Sequence, residues 1–167
     1  INAYKELIES GLYTKEDMFP KIAHKSRDNA RTPMQWDASE NAGFTTGTPW
    51  IAVNPNYKKV NVADQLKRED SVFNYYKKLI RLRKENEIIV YGNYELLLPE
   101  DENIFAYVRT LDNQKLLVVC NFSKTEQKFD FSGYEKAKVL ISNYERDIRE
   151  NSILKPYEAV VVLLDNA

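Results

Sequence analysis

The hydrophobic period of this 167-residue chain changes once, near residues 87–91, and the change limits what each half can fold into. Ahead of it two stretches keep helical spacing. Ile1, Tyr4, Leu7 and Ile8 share one face, and Val72, Phe73, Tyr76, Leu79 and Ile80 form a stripe within a helix predicted over Asp70–Glu87. After Gly92 the pattern turns to short strand-like runs: Tyr94–Leu98, Ile104–Leu111, Lys115–Phe122, Lys128–Phe131, Ala137–Tyr144 and Ala159–Leu164. Turn-forming stretches at 99–103, Asp112-Asn113 and Ser132-Gly133 separate them. Short strands with tight turns predict an antiparallel meander, sandwich or small barrel. The fold class is therefore α+β, with helix and loop first and sheet second.

Local signals refine the helical half. Gly11 supplies a stop for the first helix. Thr14 with Asp17 three residues on resembles a capping box, although Glu or Gln is the usual partner. Pro20 falls too deep for a first-turn proline, which predicts a kink or a fresh helix starting near it. Asp70 is a good N-cap for the helix that follows. Lys77, Lys78, Arg81, Arg83 and Lys84 ride the side opposite the apolar stripe and read as a solvated face.

Residues 26–61 show little regular pattern and carry Pro33, Gly43, Gly47, Pro49 and Pro55. Met34, Trp36, Phe44, Trp50, Ile51, Val53 and Tyr57 are too many large apolar groups for a solvated linker. A long irregular segment of this kind is expected to be a packed loop framing a site. Its densest part, residues 26–37, places Arg27, Arg31, Asp28, Asp37, Asn29, Gln35 and Trp36 within twelve positions. Pro33 biases Thr32 away from the α region, so extended or turn backbone splays these side chains. Planar charged and amide groups bridge neighbouring hydroxyls, and an indole can lie against a sugar ring or wall a pocket.

Composition excludes several alternatives. Lys and Arg total 24 against 25 Asp and Glu, so no global basic field exists for nucleic acid or an anionic membrane. No apolar run approaches the roughly 20 residues of a membrane span. One cysteine, Cys120, and one histidine, His24, exclude an internal disulfide and Cys/His zinc sites within this chain. Cys120 reads as a small core hydrophobe in a strand, and His24 as a helix-end or surface residue. These features fit a reducing cytoplasm. The sheet half has no catalytic constellation, and its aromatics read as core and cross-strand packing. A carbohydrate-binding module would need two or three exposed coplanar rings. No cofactor and no metal site is expected. The chain opens at Ile1 inside a helical pattern, with no basic leader or apolar signal core, and reads as a fragment or trimmed piece.

The run Lys25–Asp37, with Arg31-Thr32-Pro33-Met34-Gln35-Trp36 at its centre, resembles the α-glucosidases of the α-amylase superfamily (glycoside hydrolase family 13), most closely the oligo-1,6-glucosidase group. Ala42–Gly47, Pro49–Ile51, Val53–Tyr57, Tyr75–Arg83 and Leu154–Ala159 extend the resemblance over essentially the whole chain. Trehalose-6-phosphate hydrolases, dextran glucosidases and sucrose isomerases carry similar versions. The resemblance implies that residues 1–90 are the end of a catalytic (β/α)8 barrel, with its final βα loop and last helix. Residues 91–167 would then be a C-terminal β-sandwich. It places Arg31 on the catalytic face, where barrel enzymes keep their sites, as a ligand for a sugar hydroxyl. Asp28 and Asn29 would position that loop, and Trp36 and Gln35 would pack rather than touch sugar.

Such enzymes are retaining glycosidases and need two carboxyl groups about 5–5.5 Å apart. In the family these acids lie upstream of the segment resembled here, and no match to their motifs occurs in this chain. The expected function is thus the C-terminal portion of an α-1,6-cleaving glucosidase acting on gluco-oligosaccharides, inactive by itself, with no catalytic residue of its own. A stand-alone sugar-binding module and a structural cap are the readings of another class. The stripe from Val72 to Ile80 would face an absent core, so it is expected to pack on the sandwich, to self-associate, or to be poorly ordered.

Overall fold

The computed structural model describes residues 2–149 and 152–165, with the side chains of Asn2 and Ala3 outside the description. Ile1, at the edge of the first expected helical face, also lies outside the described residues. The chain divides into two compact units, Ile1–Tyr75 and Tyr76–Ala167.

In the first unit, α1 (Asn2–Glu9) is followed by Gly11 at φ +71°, the left-handed backbone that a glycine stop supplies. Helix α2 (Lys15–Lys25) opens on the expected capping box. The Asp17 N–H donates to the Thr14 hydroxyl at 3.1 Å, and the Asp17 carboxylate accepts the Thr14 N–H at 3.3 Å. Pro20 lies inside α2, and no new helix starts there. The acceptor Pro20 leaves without a donor is the carbonyl of Glu16, an exposed residue that water can serve. Residues 26–61 are irregular apart from 3₁₀ turns at Arg27–Ala30, Glu40–Gly43 and Pro55–Lys58.

Helix α3 (Val62–Lys67) is capped by Asn61, whose Oδ1 accepts the Asp64 N–H at 2.9 Å. Helix α4 (Val72–Glu85) starts one residue later than an Asp70 cap would place it, and the Asp70 carboxylate is bonded by Arg68 instead. The cap is buried Ser71, whose hydroxyl accepts the Asn74 N–H at 3.2 Å and donates to the Gln65 carbonyl at 2.7 Å. The predicted helix also ends early, at Glu85, and a separate short helix α5 (Ile88–Tyr91) follows. No residue of α4 is buried, and Val72, Phe73, Tyr76, Leu79 and Ile80 are all exposed. Val72, 80% exposed, forgoes most of the roughly 1.5–3 kcal/mol that full burial of such a side chain brings, and Phe73, Leu79 and Ile80, already more than half covered, forgo less.

The second unit holds most of α4, all of α5 and sheets that are antiparallel throughout. Strands β1 (Asn93–Leu97), β2 (Ile104–Leu111), β3 (Gln114–Asn121), β5 (Lys138–Ser142) and β7 (Ala159–Asp165) form one sheet in the order β1-β2-β3-β7-β5. Two short strands, β4 (Gln127–Lys128) and β6 (Ile153–Leu154), pair separately. The strand expected over Lys128–Phe131 is reduced to β4, yet Phe129 and Phe131 still point inward, their rings 4.9 Å apart. With Ile148 and Leu154 they cover the Ala106, Leu117, Val119, Val160 and Val162 face of the sheet. The opposite face receives Ile88 of α5 against Leu116 and Val118. This is the expected pattern of a helical and loop region followed by an antiparallel two-layer sheet domain.

A buried ion pair lies within the second unit. Arg146 Nη1 is 3.4 Å from Glu158 Oε1, with side chains 4% and 1% exposed. Glu158 Oε2 accepts the Lys155 N–H at 2.7 Å, and Arg146 Nη1 donates to the Ile153 carbonyl at 2.7 Å.

Candidate functional site

The loop that carries Arg31 is built from short-range bonds. Ser26 ends α2 and begins the turn Arg27–Ala30, accepting the Asp28 N–H on its hydroxyl at 3.3 Å and the Asn29 N–H on its carbonyl at 3.1 Å. Asn29 Nδ2 reaches back to the Ala23 carbonyl at 2.7 Å, tying the turn to the last turn of α2. Arg31 closes the turn through its N–H to the Asp28 carbonyl at 3.0 Å. Its guanidinium stands 3.7 Å from the Asp28 carboxylate, with side chains 54% and 60% exposed. An ion pair this long and exposed contributes at most about 1 kcal/mol. Asp28 therefore orients Arg31 without neutralising it, and the remaining guanidinium donors can take a further acceptor.

Gln35 does more in the structure than its expected packing role. Its Nε2 donates to Asn56 Oδ1 at 2.9 Å and to the Val60 carbonyl. Its own carbonyl accepts the Val62 N–H at 2.9 Å, and the Trp36 carbonyl accepts the Ala63 N–H at 2.9 Å. These bonds fasten residues 35 and 36 to the start of α3. Asn61 Nδ2 completes the clamp on the Tyr57 carbonyl at 2.9 Å. Sequence reasoning missed Gln35, Asn56 and Asn61 as a group. Bonds that reach so far along the chain leave no periodic trace, and only the density of amides hinted at them.

Beyond Trp36 the chain makes a tight left-handed loop. Asn41, Ala42 and Gly43 have φ of 50°, 59° and 67°. The Trp36 N–H donates to the Ala42 carbonyl at 2.8 Å, and Asn41 Nδ2 donates to the carbonyls of Thr45 and Gly47. Asp37 accepts the N–H and hydroxyl of Ser39, which holds its carboxyl below the usual range. The Trp36 side chain is left half exposed.

A groove of about 720 Å³ begins one residue after Arg31. Thr32, Pro33, Met34 and Gln35 form one wall, and Val60, Val62, Gln65, Val72 and Phe73 contribute elsewhere. Arg68 and Asp70 stand at the same groove, their side chains joined at 3.2 and 3.3 Å. That contact lowers the Asp70 carboxyl below its ordinary value.

The remaining sequence candidates fall apart from this loop. His24 is exposed in the last turn of α2. Cys120 is half buried in β3, where burial pushes its thiol up. Tyr94, Tyr107, Phe105 and Phe122 make a row on one face of the sheet, but successive rings are tilted by 37°, 57° and 74°. Such a row offers no flat platform for a sugar chain. Among the described residues, no group of three or more His, Cys, Asp or Glu could hold a metal ion, and no helix is long and apolar enough to cross a membrane.

An exposed arginine on a clamped loop, an apolar groove beside it and an antiparallel sheet domain behind it in sequence are the parts of a sugar-enzyme catalytic domain joined to its C-terminal domain. Residues 4–92 match the alpha amylase catalytic domain, and residues 104–161 match the alpha-amylase SusG C-terminal domain. The chain belongs to the α-amylase family.

Among curated relatives, the oligo-1,6-glucosidase of Parageobacillus thermoglucosidasius is 52% identical across 96% of this chain and 30% of its own length. The trehalose-6-phosphate hydrolase of Bacillus subtilis is 45% identical across 98% of this chain and 30% of its own. The crystal structure of trehalose-6-phosphate hydrolase from Bacillus licheniformis superposes with a TM-score of 0.87 at 44% identity, covering 99% of this chain and 31% of that one. Isomaltulose synthase from Klebsiella sp. LX3 gives a TM-score of 0.86 at 38% identity, covering 96% of this chain and 30% of that one. The chain thus spans about 30% of the length of the relatives it matches.

Proposed function

We propose that this chain is the C-terminal portion of a retaining α-glucosidase that hydrolyses α-1,6 and related glucosidic bonds of short gluco-oligosaccharides, and that it is inactive alone. Residues 1–90 would close the catalytic barrel and residues 91–167 would form the sheet domain. The family matches ending at 92 and starting at 104 support this division. The observation that carries the reading is Arg31: an exposed guanidinium on a loop held by Asn29, Gln35 and Asn61, beside a groove. In this reading Arg31 donates to a hydroxyl of the bound glucose. Asp28 and Asn29 set the turn, and Trp36 walls the approach. The two carboxyl groups that break the bond belong to the remainder of the barrel. The reducing cytoplasm is the compartment we assign, in keeping with a single half-buried cysteine.

The chain alone should give no turnover of p-nitrophenyl α-glucoside; clear hydrolysis by the pure polypeptide would refute the reading. For Arg31 the test is a single-chain fusion to the part of the P. thermoglucosidasius enzyme that lies upstream of the matched region. A charge-assisted hydrogen bond is worth roughly 1.5–3 kcal/mol, so Arg31→Ala should lower kcat/KM by about 10- to 150-fold.

A further inference from the structure

We propose that the second unit carries a small-oxyanion site, which takes the phosphate or carboxylate group of a small molecule on the buried guanidinium of Arg146. The site does not depend on the sugar reading above.

A cavity of about 540 Å³ lies wholly within the second unit, between stretches 135–139 and 146–149. That volume falls among ligand pockets, which run from roughly 300 to 1,000 Å³. Arg146 belongs to its wall, and its side chain is only 4% exposed. One end of the guanidinium is fixed. Nη1 donates to the Ile153 carbonyl at 2.7 Å and stands 3.4 Å from Glu158 Oε1. The Phe131 ring lies against the guanidinium, whose carbon is 5.0 Å from the ring centre. These contacts set the position of the group before any ligand arrives, which lowers the cost of binding.

The other edge is unserved. Nε and Nη2 are both buried and have no hydrogen-bond partner among the described residues. Buried polar groups in native structures are nearly always paired, so two neighbouring orphans on one side chain point to a missing partner. Their N–H groups run parallel and form the edge on which arginine grips two oxygens of one carboxylate or phosphate. An oxyanion accepts from both and brings the opposite charge, which a water molecule does not.

The charges around the cavity leave room for an anion. Both oxygens of Asp147 are bonded by Arg149, at 2.9 and 2.6 Å. Glu158 faces Arg146 and accepts the Lys155 N–H. Glu135 Oε1 accepts the Gly133 N–H at 3.0 Å. Lys136 is exposed in the cavity wall, and no described residue forms an ion pair with it. Because Nε and Nη2 have no contact with solvent, a ligand must part the wall to reach them. Lys136 is the long side chain there that can swing aside and then close its ammonium on the same anion.

The test titrates the isotope-labelled chain with sodium phosphate and, separately, with sodium citrate, each against sodium chloride at equal ionic strength. The NMR signal of the Arg146 Nε–H is the readout. The expected result is a saturable shift of that signal: a response to phosphate identifies a phosphate ligand, and a response to citrate alone a carboxylate. Arg146→Met with Glu158→Leu removes the donors without stranding a buried charge. Calorimetry on that variant should show binding weakened by roughly 10- to 150-fold, the worth of one charge-assisted hydrogen bond. Lys136→Ala, at an exposed position, should weaken binding by at most about fivefold and leave the Arg146 signal of the ligand-free chain in place. Should the double variant not fold, the Arg146 shift in the unaltered chain decides alone. No shift beyond the chloride control with either anion overturns the proposal. Binding that persists undiminished in the folded double variant also overturns it, since it marks an adventitious ion only.

Discussion

The side-chain amide of Gln35 donates to Asn56 Oδ1 at 2.9 Å, so one bond spans 21 residues of irregular chain. With its second bond to the Val60 carbonyl, Gln35 joins the segment after Arg31 to the start of α3. Loop order around the candidate sugar ligand thus rests on an amide rather than on an apolar core.

Gln35→Ala should therefore cost about 1–3 kcal/mol, from two hydrogen bonds worth roughly 0.5–1.5 kcal/mol each. Hydrogen exchange is the direct check. The amides of Val62 and Ala63, which donate to residues 35 and 36, should exchange faster, while those of β2 and β3 should not change.

The buried Arg146–Glu158 pair gives a second expectation. Arg146→Met leaves Glu158 uncompensated in the interior and should destabilise by roughly 3–5 kcal/mol in urea unfolding. Adding Glu158→Leu should recover most of that loss, because no buried charge then remains. Recovery should stop about 1 kcal/mol short, since the Lys155 N–H loses its acceptor.

Gly43 combines two constraints. Its φ is +67°, and a Cβ placed on it would lie 2.8 Å from Asp37 Oδ2. Gly43→Ala should cost about 1–2 kcal/mol for the left-handed backbone alone, with the collision against Asp37 adding to it. Thermal unfolding of Gly43→Ala with Asp37→Ala tests the division: relief of only the collision should leave the backbone cost behind.

Acid pH should find a marker in Asp147. Arg149 donates Nη2 to Oδ2 at 2.6 Å and Nε to Oδ1 at 2.9 Å, and its N–H adds a third bond, holding this carboxyl down at about 2. A depressed carboxyl favours the folded state above its ordinary value of 3.8, and that contribution is lost as pH falls from 3.8 through about 2. Carboxyl NMR should give a midpoint near 2. Arg149→Ala should raise it, though not fully, because the backbone N–H remains. A midpoint at 3.8 in the unaltered chain would contradict the geometry.

How much of this was legible in the sequence follows the range of each interaction. The capping box at Thr14 and Asp17, the Gly11 stop and the turn at Asp112-Asn113 depend on neighbours within a few residues, and each stands where the sequence put it. The change of period near residue 90 and the strand Ile104–Leu111 are equally local. Asp70 shows where the local reading failed. Its side chain suits a cap, but Arg68 takes it, and Ser71 is drawn to the Gln65 carbonyl and becomes the cap. The motif around Arg31 was readable as family pattern. The clamp of Gln35, Asn56 and Asn61 was not.

What the sequence alone determined is the order of helix, loop and strand, and the chemistry offered between residues 26 and 37. Side-chain spacing encodes the first, and residue identity encodes the second. Tertiary structure decided that β7 lies between β3 and β5 and that the short strand β6 exists. Pairing between segments far apart in the chain depends on which surfaces meet, and no short window of sequence contains both members of such a pair.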